Sequence, residues 1–103
     1  MLIPFSKKET PFKVREYKLG VSASYIFYGK YDVPLYVGST ICFRKRMYNH
    51  FSSTTFMDEV ERIEIIETKY PNYLEMYLIG KLNPLYNKRI VSHKEPYSLK
   101  RED

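Results

Sequence analysis

The sequence predicts a small α+β domain, a three-stranded, mostly antiparallel sheet flanked by helices. Three observations predict it. Two short runs rich in aromatic and β-branched residues, 24–29 and 34–38, are separated by the polar stretch Gly29-Lys30-Tyr31-Asp32, which is a hairpin signal. A third run of the same kind spans residues 60–67. Segments 41–51 and 71–82 repeat apolar residues at helical spacing. With 103 residues, 44% of them hydrophobic, the chain supports one domain with a modest core.

Residues 1–22 form an N-terminal arm. It carries Pro4, Pro11 and many charges, and Phe12, Val14, Tyr17 and Leu19 are interspersed with charged residues. A short strand and an extended segment both fit it. In the hairpin, alternation sends Tyr25 and Phe27 to one face and Ile26 and Tyr28 to the other. On the second strand it puts Leu35 and Val37 together, opposite Tyr36. Pro34 cannot donate to a ladder and belongs at a strand start or edge. Gly38 is expected to let the chain turn sharply out of the strand.

The first helix follows at once. Phe43, Met47 and Phe51 make its apolar face, and Ser39 or Thr40 is placed to cap it. Arg46 and His50 lie one turn apart on one face, near the hairpin end. Arg44 and Lys45 fall elsewhere round the cylinder, where a solvated basic face is the simplest reading. Residues 52–55 form a loop. In the third strand Ile63 and Ile65 share one face and Val60 and Ile66 the other, which predicts a central position. Pro71-Asn72 opens the second helix, whose apolar stripe is expected to be Leu74, Tyr77, Leu78 and Leu82. Glu75 is the only acidic residue on this otherwise apolar helix, and a carboxylate so placed needs a partner, either a cation or Arg46 in a structural ion pair. Asn83-Pro84-Leu-Tyr-Asn87 ends the helix. Residues 88–103 are a charged tail without periodicity, expected to be flexible or to wrap the surface.

No apolar run approaches the roughly 20 residues of a membrane span, and the start turns polar at Ser6-Lys7-Lys8 instead of building a secretory signal. Cys42 is the only cysteine, so neither an intramolecular disulfide nor a cysteine-based zinc site can form. A reducing, cytoplasmic or intracellular setting fits best. The formal net charge of +5 favours polyanionic partners without choosing among them. The 11 tyrosines could stack on bases or fill a small core.

These residues, in their order, resemble the GIY-YIG nucleases, a family that includes catalytic domains of intron-encoded homing endonucleases, nucleotide-excision nucleases and some restriction enzymes. Ala23-Ser24-Tyr25 stands where the family has Gly-Ile-Tyr, and Tyr36-Val37-Gly38 matches its Tyr-Ile-Gly. Arg46, His50, Glu75 and the closing Asn83-Pro84-Leu-Tyr-Asn87 follow in the family's order. The match covers residues 23–87. The first motif departs in its small Ala23 and polar Ser24, while its tyrosine is kept.

The resemblance implies a metal-dependent endonuclease acting on DNA, with RNA left open and no membrane partner. It implies that Glu75 holds one Mg²⁺ or Mn²⁺ through oxygen. Arg46 would fork onto a phosphate oxygen and neutralise developing charge. Tyr25 would take the proton of the attacking water. Lowering its pKa from ~10 to about 7 would require roughly 4 kcal/mol, which nearby cations could supply. His50 would accept or relay that proton, and Tyr36 would hydrogen-bond the nucleophile or the phosphate. Arg44 and Lys45 would make diffuse nucleic-acid contacts. Gly38 and Asn87 would be structural, Asn87 orienting or capping the metal-bearing helix. One such site cuts one strand, so duplex cleavage would call for a homodimer, a second event or a fused partner. Residue by residue, simpler roles exist: strand tyrosines half-buried for packing, and His50 as a cation at a helix C-terminus. Two rivals follow: a non-cleaving nucleic-acid-binding module of the same fold, and an interaction protein whose basic face meets an acidic partner.

Overall fold

The computed structural model describes residues 2–4, 14 and 20–87. Its elements are β1 (Leu2–Pro4), β2 (Ala23–Tyr28), β3 (Pro34–Thr40), α1 (Phe43–Ser53), β4 (Arg62–Glu67) and α2 (Pro71–Leu82). The sheet order is β1-β4-β2-β3, and every neighbouring pair is antiparallel. The three long strands are the three expected. The short β1, from the N-terminal arm, extends the sheet beyond β4, and Val14 of the same arm is buried in the core. The charged tail, 88–103, lies outside the described residues.

The central place among the long strands belongs to β2, not to 60–67 as the pattern suggested. The reason is charge. Residues 23–27 carry none and are all buried, whereas Arg62, Glu64 and Glu67 give β4 alternating burial.

The two faces of β2 organise two cores. Tyr25 and Phe27 pack with Phe43 and Met47 of α1 and with Ile63 and Ile65 of β4. Ile26 and Val37 pack with Leu74, Leu78, Ile79 and Leu82 of α2. The helices therefore lie on opposite faces of the sheet. On α2, Ile79 replaces the expected Tyr77, which is exposed. The helix is rolled so that Glu75 turns toward β3, and that roll carries Tyr77 outward. Pro71 starts α2, where its missing N–H costs nothing. Asn83, left-handed at φ 52, ends it.

A β-bulge corrects the expected faces of β3. Phe27 pairs with Tyr36, but Tyr28 pairs with Pro34, so Leu35 is the extra residue. Leu35 joins the core under α1, while Val37 faces α2. The register puts Tyr36 on the same face as Tyr25.

β3 is the outer strand, and the chain itself covers its edge. Leu85 and Tyr86 donate backbone N–H groups to the carbonyls of Pro34 and Leu35 at 3.1 and 2.8 Å. Asn87 continues this ladder with its side chain: Oδ1 accepts from the Val37 N–H at 2.7 Å and Nδ2 donates to the Val37 carbonyl at 2.9 Å. Asn87 thus clamps β3, and the C-cap position of α2 belongs to Asn83 and not to Asn87. Its amide has the shape of a peptide group, so it fills the place of a missing strand. Asn87→Leu leaves two buried backbone groups unpaired. At about 1–3 kcal/mol each, it is expected to lower stability by about 2–6 kcal/mol in urea unfolding, and the same loss should follow whether or not divalent metal is present.

Candidate active site

The site begins with Tyr25, which has no solvent exposure. Its cross-strand partner is Gly38. A Cβ at Gly38 would lie within 3.0 Å of Tyr25 Cζ, Oη and Cε2. The glycine therefore makes room for the phenol. It does not turn the chain, because β3 runs on to Thr40. For the same reason Ser39 and Thr40 are strand residues and not side-chain caps. α1 starts at Phe43, with Cys42 in the N-cap position.

Tyr25 Oη and His50 Nε2 are 2.7 Å apart, and His50 Nδ1 lies 2.6 Å from Thr54 Oγ1. The imidazole sits among the rings of Phe27, Tyr25 and Tyr36, with centroids 4.9 to 5.5 Å away. Burial, aided by the Arg46 charge, lowers its pKa to about 4, so it is neutral at neutral pH. With the ring neutral, one nitrogen donates and the other accepts. The tautomer in which the Tyr25 hydroxyl donates to Nε2 and Nδ1–H donates to Thr54 Oγ1 satisfies both bonds.

This linkage has a pH consequence. The pKa of His50 is lower folded than unfolded, so the unfolded state binds more protons between the two values. Stability is full above about pH 6.5 and is lost as pH falls toward 4. The loss should reach about 3 kcal/mol. Urea midpoints across that range should show it as a slope present in the wild-type protein and absent in His50→Gln.

Across β3, on the α2 side, Ser39 Oγ donates to Glu75 Oε1 at 2.8 Å and lies 2.9 Å from the Asn72 side-chain oxygen as placed. One hydroxyl hydrogen cannot serve two acceptors. Turning the Asn72 amide by half a turn resolves this: its NH₂ donates to Ser39, and Ser39 donates to Glu75. Burial raises the Glu75 pKa, opposed by the Ser39 hydrogen bond and the Arg46 charge. Burial also raises that of Tyr36, with Glu75 adding and Arg46 opposing. For Tyr25, burial and then Tyr36 push the pKa upward, and Arg46 opposes without prevailing. The lowering toward neutrality that the sequence reading required is not present in the protein alone.

Tyr25, Tyr36, Arg46, His50 and Glu75 are thus brought together around the Gly38 level of β3, with Arg46 the cation acting on the other four. Lys45 and Arg46 line a groove of about 400 Å³ with Thr40, Ile41, Cys42 and Asn49, which Arg44 does not reach. A larger cleft, about 560 Å³, lies at the far end of the hairpin, beside Gly29 and Glu59, and contains none of the five. Among the described residues no three His, Cys, Asp or Glu side chains gather as a metal cage, and of the five residues brought together here Glu75 is the one carboxylate. That suits Mg²⁺, which keeps most of its waters and needs only one or two carboxylates. Ser39, Asn72 and Thr54 escaped the sequence reading. Thr54 carried a signal, standing one helical turn after His50.

Neither a protein-family model nor a curated protein matches the sequence. Solved structures do. The chain is similar to the GIY-YIG N-terminal endonuclease domain of UvrC from Thermotoga maritima bound to its catalytic divalent cation, magnesium. The TM-score is 0.65 at 26% identity, covering 77% of this chain and 97% of that one. Two point-mutant forms of that domain, also bound to the divalent cation, match at TM-scores of 0.64 and 0.65 and identities of 26% and 25%. They cover 76% and 77% of this chain and 94% and 97% of theirs. No helix among the described residues is long and apolar enough to cross a membrane. The likeness extends over most of the chain; the chain belongs to the GIY-YIG superfamily.

Proposed function

We propose that this chain is a divalent-metal-dependent endonuclease that hydrolyses phosphodiester bonds in DNA, one strand per site. The observation that carries this reading is the convergence of one exposed cation, Arg46, on one buried and one partly buried phenol, a neutral histidine and a half-buried carboxylate. A structural ion pair would not need the phenols or the histidine.

Glu75 would hold the cation, its Oε1 fixed by Ser39. When bound, Mg²⁺ supplies charge relief to phosphate oxygens and lowers the pKa of a coordinated water. Arg46, exposed at the mouth, meets the scissile phosphate and neutralises the charge that develops on it. Tyr25 and His50 form the proton path. As the water attacks phosphorus, its proton passes to Tyr25 Oη while the phenol proton passes to His50 Nε2 across the 2.7 Å bond; the bond from phosphorus to the leaving sugar oxygen breaks, and that oxygen takes a proton from solvent. No free phenolate is needed, which accommodates the upward shift at Tyr25. An incoming phosphate adds negative charge and strengthens His50 as the acceptor. Tyr36, on the same face, is placed to hydrogen-bond the nucleophile or the phosphate.

The test is cleavage of supercoiled plasmid by purified chain. With Mg²⁺ it should accumulate nicked circles, since each site cuts one strand, and EDTA should stop it. Nicking that continues in EDTA overturns the reading. Arg46→Lys keeps the charge but loses the fork, and it should reduce the rate by about 10²-fold.

A further inference from the structure

The outer face of α2 is occupied by side chains that the fold does not use. Tyr70, Tyr73, Met76 and Tyr77 are 60 to 77% exposed. At about 100° per residue, Tyr73, Tyr77 and Lys81 of α2 fall within one third of the helix circumference. They form a strip about 12 Å long, and Tyr70, in the N-cap position, with Lys69 before it, precedes the helix. Tyr70 and Tyr73 meet edge-on at 6.4 Å, and Lys81 Nζ lies 5.7 Å from the Tyr77 ring centre. Tyr73 and Tyr77 are about 6 Å apart along the axis. Between Lys69 and Lys81 the only acidic residue is Glu75, which turns the other way, toward Ser39. Gly80 lies within the same arc. A Cβ there would meet nothing within 4 Å, so internal packing does not require the glycine, although it weakens the helix.

We infer that this strip is a stacking platform for unpaired bases, and that the substrate is DNA with a single-stranded segment beside the cleaved phosphate. Three features select this occupant. Tyrosine rings accept any base face, and the flanking lysines meet backbone phosphates. Lysine is depleted from protein–protein interface centres, and the strip has no leucine, isoleucine, valine or phenylalanine to anchor a protein. The strip shares its helix with Glu75 and Asn72 and lies round the helix from them, about one helix diameter from the site, within reach of an unpaired strand. The inference rests on the nuclease reading for its substrate, but base stacking does not require cleavage.

The experiment measures binding without divalent cation. A forked duplex with one unpaired arm is compared with a blunt duplex of equal length. Wild-type protein should prefer the fork. Tyr73→Ala and Tyr77→Ala, both solvent-exposed changes, should each weaken fork binding about tenfold and leave blunt-duplex binding within about twofold. Tyr73→Phe should restore the preference. Lys81→Ala should reduce the salt slope by about one. Equal binding of the two probes by wild type, or no effect of the alanine variants, overturns the platform. So does sedimentation showing a dimer of wild type that Tyr73→Ala dissociates, because the face would then belong to a second copy. A tyrosine-dependent fork preference in a protein that cleaves nothing keeps the platform and removes the hydrolytic reading. Metal-dependent nicking with no fork preference does the reverse.

Discussion

Glu75→Gln is expected to lower strand cleavage by about a thousandfold or more, with the fold intact or slightly more stable. Both halves follow from the same carboxylate. Glutamine has the shape of glutamate and keeps a carbonyl oxygen for the Ser39 hydroxyl, so the chain from Asn72 through Ser39 survives. What it lacks is the charge that holds a divalent cation. A lost metal contribution of several kcal/mol corresponds to about 10³-fold or more in rate. The pKa of Glu75 is raised, with burial the leading cause. The folded state therefore holds its proton more tightly than the unfolded one, and at neutral pH the ionised carboxylate is a net burden on stability. Removing the charge should leave thermal unfolding unchanged or move it upward. Binding of Mn²⁺, followed by its electron paramagnetic resonance, should weaken in parallel with the rate. A Glu75→Gln protein that unfolds several degrees earlier and still cleaves would assign Glu75 to a structural pair with Arg46. One that loses neither stability nor cleavage would remove it from the chemistry.

The comparison of sequence with structure divides along a physical line. Periodicity along the chain reports which residues an element can bury, and it located three strands and two helices. It could not report what lies across the sheet. Gly38 was read as a turn because the chain behind it carries no information about Tyr25, its partner on the neighbouring strand. Leu35 was assigned to the wrong core because a bulge shifts register without altering the local pattern. Asn87 was tied to the helix before it, yet its partner is a backbone fifty residues away. The meeting of Tyr25, Tyr36, Arg46, His50 and Glu75 came from resemblance and not from spacing. The one part of it that spacing supports is the turn shared by Arg46 and His50. The same register explains why Ser39 was missed. Only the strand's alternation, counted from Gly38, sends its hydroxyl to the α2 face where Glu75 stands.

Gly38→Ala is expected to destabilise the protein by about 3 kcal/mol and to reduce cleavage by at least about 10²-fold. The sign is informative because backbone considerations predict the opposite. Gly38 does not have positive φ; Gly20 is the described glycine that does. In a regular strand, alanine should gain about 0.5–1 kcal/mol over glycine from unfolded-state entropy. Packing reverses this. The new methyl would fall within 3.0 Å of three atoms of the Tyr25 ring. That ring cannot step aside, because Phe27, Tyr36, Phe43 and His50 surround it with centroids 5.4 to 6.3 Å away. Relief requires the phenol to swing, which breaks its 2.7 Å bond to His50 and removes the proton path along with core packing. A second substitution isolates the cause. In a Tyr25→Leu background the ring atoms are gone, so Gly38→Ala should cost little. Urea unfolding of the four proteins in this cycle should give a coupling energy of about 1–3 kcal/mol. If Gly38→Ala instead stabilises the wild-type protein, the glycine serves the backbone alone and the phenol is not held by the close approach that the site requires.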